Sequence, residues 1–117
     1  MLAISPATRI FLAVGVTDMR KGFNGLCALA QHRLAVDPSS GHLFVFCNRR
    51  RNRIKILYWD GSGLWLCTKR LEKGRFSWPA ATEGESKATL RSEELMLLVG
   101  GIDLERTRTR RWWRKVA

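Results

Sequence analysis

The chain has 117 residues, 45% of them hydrophobic, with 21 Lys plus Arg against 10 Asp plus Glu and a formal net charge of +11. That length and apolar content set a single domain and exclude a wholly disordered chain, and no apolar run approaches the ~20 residues of a membrane span. The charge points to a polyanionic partner, nucleic acid first and an anionic membrane second.

In chain order, Met1-Leu2-Ala3-Ile4-Ser5-Pro6 has no basic region and no long apolar region of a secretory signal, so a cytoplasmic protein is expected. Ile10-Phe11-Leu12-Ala13-Val14 reads as a strand. Thr17 and Asp18 both offer N-cap oxygens for a helix. Met19, Phe23, Leu26, Cys27, Ala30 and Leu34 recur at three- and four-residue steps. That stripe predicts a long amphipathic helix over 18–35, packed on a sheet, with Gly22 and Gly25 weakening it and allowing close approach to the sheet. Asp37-Pro38-Ser39-Ser40-Gly41 has the chemistry of a loop.

A meander follows: strands 42–47, 53–59 and 64–71, then a short extended piece at 75–78. The connections are too short for a crossover, so antiparallel pairing is expected. On strand 53–59 the face carrying Ile54, Ile56 and Tyr58 is expected to meet the helix. Residues 79–88 read as a loop. Ser92 is an N-cap for a second, shorter helix, with Glu93 and Glu94 suited to its positive end. Gly100-Gly101 stops it. The tail from Arg106 to Lys115 holds six basic residues around Trp112 and Trp113 with no apolar face. A mobile tail over 106–117 is expected behind a domain spanning 1–105. The whole predicts an α+β fold: a small antiparallel meander of three to five strands, the long helix on one face and a short C-terminal helix.

Chemistry is sparse. Cys27, Cys47 and Cys67 are odd in number and form no Cys-x-x-Cys, and His32 and His42 are not spaced to complete a zinc site. They read as reduced thiols; no metal and no cofactor is expected. There is no nucleophile motif and no Walker-type phosphate loop. Asp18, Asp60, Glu93 and Glu94 supply carboxylates for a two-metal nuclease, but each is better explained as a cap or turn residue, so no catalytic residue is assigned. Gly22-x-x-Gly25 behind Arg20-Lys21 is the short pattern of a KH-type backbone clamp, but the order of elements does not match that fold.

Binding is a stronger reading. Asn48-Arg49-Arg50-Arg51-Asn52-Arg53 is a basic knot between two apolar strands, and Lys55 follows it. A tight connection between paired strands projects its side chains into water as one rigid cluster, a site suited to phosphates. A second cluster is Lys69, Arg70, Lys73 and Arg75, and the tail is a third. Adjacent hairpin turns often lie at opposite ends of a sheet, so whether the first two clusters merge is open. Tyr58, Trp59, Trp65, Phe76 and Trp78 are interleaved with them, as stacking rings for single strands or as packing.

Several blocks carry a resemblance: Thr17-Asp18-Met19-Arg20-Lys21-Gly22-Phe23; Gly41-His42-Leu43-Phe44-Val45-Phe46; Asn48 to Arg53 with Lys55; Leu57-Tyr58-Trp59-Asp60-Gly61; and Lys69 to Phe76 with Trp78-Pro79. Over roughly residues 8–105 they resemble the small TnpB accessory proteins of bacterial insertion sequences of the sixty-six type, the product of the element's second reading frame. The resemblance implies a non-catalytic protein that assists DNA transposition, the acidic catalytic site belonging to a separate transposase. Carried onto this chain, its blocks single out Arg20, Lys21, Arg49, Arg50, Arg51, Arg53, Lys55, Lys69, Arg70 and Arg75; Lys73 joins them from the second cluster. The expected partners are DNA, as element ends, and the transposase. The alternatives are an adaptor that docks the transposase without touching DNA, and a metal-dependent nuclease.

Overall fold

The computed structural model describes residues 7–79 and 84–101, and the backbone of 114–115. Strand β1 is Ile10–Ala13. Helix α1, Phe23–Ala28, continues as a π-helical turn over Leu29–Arg33, in which the Leu34 N–H donates to the Leu29 carbonyl. Strands β2 (Leu43–Cys47), β3 (Arg53–Trp59), β4 (Leu64–Arg70) and β5 (Lys87–Leu90) follow. Then come helix α2 (Ser92–Val99) and strand β6 (Arg114–Lys115). The sheet order is β4-β3-β2-β1-β5-β6.

The α+β class stands, and the meander β2-β3-β4 is antiparallel as expected. Strand β1 departs from that pattern. It pairs parallel with β2, Phe11 opposite Phe44, because the α1 segment gives the chain enough length for a crossover. On its other side β1 pairs antiparallel with β5. β5 falls partly inside the stretch read as a loop: polar Lys87 and Thr89 hid the strand, but Ala88 and Leu90 alternate with them into the core. The piece at 75–78 is not a strand; it runs as irregular chain that buries Phe76 and Trp78. Of the tail, only Arg114–Lys115 lies within the described residues, pairing with Thr89 and Ala88.

Both sheet faces are covered. One core holds Phe11, Phe44, Phe46 and Leu57 against Leu26, Ala30 and Leu34 of the α1 segment. The other holds Ile10, Leu12, Val45, Ile54 and Ile56 against Phe76, Trp78, Leu95 and Leu98. The face expected to meet the long helix is therefore the opposite one. Ile54, Ile56 and Tyr58 pack on the α2 side, while Leu57 meets α1. Burial on both faces also explains why strands β1 and β2 read as continuous apolar runs rather than alternations.

The first helix is shorter than predicted. Its N-cap is Gly22, and before it Met19 and Arg20 form a turn closed by the Lys21 N–H donating to the Asp18 carbonyl. Asp18 does not cap it; its Oδ1 accepts from the Arg20 N–H at 2.9 Å. A Cβ on Gly25 would lie 3.1 Å from the Lys21 Cβ, so that glycine relieves crowding against the preceding turn rather than against the sheet. At α2 the N-cap position is Arg91, one residue earlier than expected, and its N–H donates to the Glu94 carboxylate at 2.8 Å.

Candidate nucleic-acid interface

The parallel strands β1 and β2 end on the same side of the sheet, where β3 begins and β4 ends. Three connections therefore meet there: residues 14–22, the knot 48–52, and residues 71–75. The two basic clusters left open by the sequence do merge. Arg53 is directly opposite Arg70, and Ile54 opposite Lys69. The Leu71 N–H donates to the Asn52 carbonyl at 2.7 Å, and the Phe76 N–H to the Arg51 carbonyl at 2.6 Å. The knot's own backbone thus holds the 71–76 segment beside it, and buried Phe76 anchors that segment from below.

The knot is closed by a neutral side chain. Asn48 Oδ1 accepts from the Asn52 and Arg53 N–H groups, each at 3.0 Å, and its Nδ2 donates to Asn52 Oδ1 at 2.8 Å. The Arg51 N–H donates to the Asn48 carbonyl, and Arg51 takes φ 59°, a left-handed conformation that favours glycine. Arg49, Arg50 and Arg53 are exposed; Arg51 is half-buried.

Besides half-buried Arg51, the candidate cations divide into three groups by what they touch. Lys55 and Lys69 are structural clamps. Lys55 Nζ donates to the Met19 and Lys21 carbonyls at 2.8 and 2.9 Å, pinning the turn before α1 to the sheet. Lys69 Nζ donates to the Val99 carbonyl at 2.6 Å, at the negative end of α2. Arg20 and Arg70 are shared with carboxylates, Asp18 at 2.7 Å and Glu72 at 3.1 Å. The Arg20 hydrogen bonds hold the Asp18 carboxyl at about 2. Lys21, Arg49, Arg50, Arg53, Lys73 and Arg75 are exposed and have no side-chain hydrogen bond or ion pair among the described residues.

The aromatic residues separate from the cations. Phe76 and Trp78 are buried, Trp78 Nε1 donating to the Ala13 carbonyl. Tyr58, Trp59 and Trp65 lie at the other end of β3 and β4. The ring that does sit beside the basic end is Phe23, 46% exposed at the start of α1; the sequence had placed it in the buried stripe.

The carboxylates that the sequence offers for metal binding are otherwise engaged. Asp60 Oδ1 accepts from the Ser62 N–H and Oγ and the Gly63 N–H, and Oδ2 accepts from Trp65 Nε1. Those bonds hold its carboxyl at about 2. Glu94 is buried under α2. Among the described residues no group of three His, Cys, Asp or Glu is arranged to hold a metal ion. No helix among them is long and apolar enough to cross a membrane.

Two proteins of Sinorhizobium fredii are similar to this chain. The uncharacterized protein y4jC is 42% identical over 108 residues, 92% of this chain and 91% of that protein. The uncharacterized protein y4hO is 41% identical over 103 residues, 88% of each. No solved structure matches the chain. The family model described as IS66 Orf2 like protein matches residues 8–109, a span that takes in all three loops of the basic end. The chain belongs to the IS66 Orf2-like family, and with it to the transposition-associated accessory proteins of insertion sequences.

Proposed function

We propose that the basic end of the sheet binds DNA through its phosphates, and that the chain assists the element's separate transposase without catalysing a reaction itself. The observation that carries the reading is the directly opposed pair Arg53 and Arg70, with Arg49 and Arg50 projecting beside them from a closed turn. Like charges facing each other across strands are unfavourable unless something neutralises them, and Glu72 meets only Arg70. A phosphate backbone supplies the missing charge. The left-handed Arg51 points the same way: a glycine would suit that backbone better, yet the position holds a cation.

Lys21, Arg49, Arg50, Arg53, Lys73 and Arg75 make the contacts, with Arg20 and Arg70 contributing through their outer faces. Lys55, Lys69 and Arg51 hold the loops in place. The test is a gel-shift series on element-end and random duplex DNA across salt concentrations, with and without transposase. Binding that weakens steeply with salt and falls in an Arg49/Arg50/Arg51→Ala variant supports the reading; binding indifferent to both removes it.

A second reading, an adaptor that docks an acidic patch of the transposase, is favoured by Phe23, an exposed ring next to Arg20 and Lys21. Co-purification of the two proteins after nuclease treatment separates the readings. The adaptor keeps its partner through the treatment, whereas a DNA-bridged pair comes apart.

A further inference from the structure

Strand β4 lies at the end of the sheet order, and among the described residues nothing pairs with its outer edge. The phase of its ladder follows from two bonds. Leu71 N–H donates to the Asn52 carbonyl, and Asp60 N–H to the Gly63 carbonyl, both on the register that places Arg53 opposite Arg70. Antiparallel partners alternate between bonded and non-bonded pairs. Trp65, Cys67 and Lys69 therefore exchange bonds with β3, and the N–H and C=O groups of Leu64, Leu66, Thr68 and Arg70 point outward.

The usual protection of an edge is confined to Lys69 and Arg70 at its end. Residues 64–68 contain no charge, proline or glycine, and Trp65 is 49% exposed. We propose that the occupant of the β4 edge is a second copy of this chain, joined antiparallel about a two-fold axis at Cys67. That register uses the whole of β4. Leu64 meets the partner's Arg70 and Leu66 the partner's Thr68, in bonded pairs. Lys69 lies opposite the partner's Trp65, so its aliphatic stem covers the ring while Nζ stays on the Val99 carbonyl. No cation faces a cation across the axis. An isologous pair of this kind closes on itself, leaving no β4 edge to propagate. It also turns the two basic ends in opposite directions; on the DNA reading, the dimer then bridges two DNA segments.

The register has a built-in reporter. Cys67 meets its own copy in a non-bonded pair, where Cα atoms sit about 4.5 Å apart, within disulfide range. Diamide, which takes the two thiol hydrogens, is expected to cross-link the wild-type chain and a Cys27→Ser variant but not Cys67→Ser. In sedimentation runs from low to high protein concentration, the wild type is expected to dimerise, and more tightly as salt screens the two positive chains. Thr68→Pro removes only an outward N–H, so it is expected to abolish the dimer with the circular dichroism unchanged. Should that variant misfold, Leu64 gives a charge test: Leu64→Glu, facing the partner's Arg70, strengthens the dimer and Leu64→Lys weakens it. A wild type that stays monomeric throughout, or Leu64 variants that respond alike, overturns the dimer or its register, as does a dimer that diamide cannot lock. Because salt tightens the dimer and loosens DNA, failure of one reading is distinguishable from failure of the other.

Discussion

The β2–β3 connection at the basic end and the turns at the far end of the sheet are the same kind of turn closed by different side chains. At the far end, Asp37 and Asp60 close their turns with carboxylates that accept backbone N–H groups. Glu93 and Glu94 stand at the start of α2 on the same side. At the basic end the equivalent closing residue is Asn48, which accepts the same kind of N–H bonds without bringing a charge. At the basic end Asp18 and Glu72 each meet one arginine, and Arg49, Arg50 and Arg53 have no ion pair among the described residues. One oxygen-for-nitrogen difference in the closing side chain decides whether a turn is electrostatically finished.

The strongest way to break the comparison is to release the loops that form the basic end. Phe76→Ala is expected to cost about 3–5 kcal/mol of stability by emptying a fully buried site. Chemical denaturation measures it, and a loss under 1 kcal/mol would show that the 71–76 segment is not anchored as described. Next in size, Arg49/Arg50/Arg51→Ala should lower duplex affinity at low salt by about tenfold or more. The matching change at the far end, Asp60→Asn, should leave affinity unaltered in the same titration. Asn48→Ala deletes two 3.0 Å backbone bonds and the Asn52 contact, so a loss of about 1–3 kcal/mol is expected in thermal melts. Asn48→Asp sharpens the contrast further: it keeps the acceptors, adds a negative charge, and should weaken DNA binding more than it weakens the fold.

The smallest effect is in pH. Asp18 and Asp60 both titrate at about 2 in the folded chain, below the ordinary 3.8, held there by their donors. The unfolded chain therefore binds more protons between those values. Their stabilisation is complete above about pH 4–5 and is lost as pH falls toward 2. Thermal melts should be flat from pH 5 to 7 and decline below 4, and Asp60→Asn should flatten part of that decline. Cys47 is the neutral counterpart: burial pushes its thiol up to about 12. A maleimide should leave it unlabelled until the protein unfolds.

The elements that were legible in the sequence are those with strong local signals. The meander turns, the Asp60-Gly61-Ser62-Gly63 connection and the arginine knot all carry chemistry that specifies them within a few residues. What was illegible depended on pairing at a distance. Nothing local in Ile10–Ala13 reports a parallel neighbour, and a strand alternating Lys87-Ala88-Thr89-Leu90 looks like a loop until its partner is known. Both faces of β3 carry apolar residues, so periodicity does not choose which of them meets α1. In the candidate site, the sequence named the cations that lie at this end but not their division of labour. Lys55 and Lys69 are spoken for by backbone carbonyls across 34 and 30 residues of chain, which no spacing rule reveals.

The central claim is that the basic end of the sheet is electrostatically open and takes phosphates. Its most direct test is the slope of log affinity against log salt for duplex DNA, measured for the wild type and for Arg49/Arg50/Arg51→Ala. A steep negative wild-type slope, shallower by up to ~1.8 in the variant as the Arg49 and Arg50 contacts are lost at ~0.9 each, is the predicted result. A slope near zero, or one that the three substitutions leave unchanged, contradicts it.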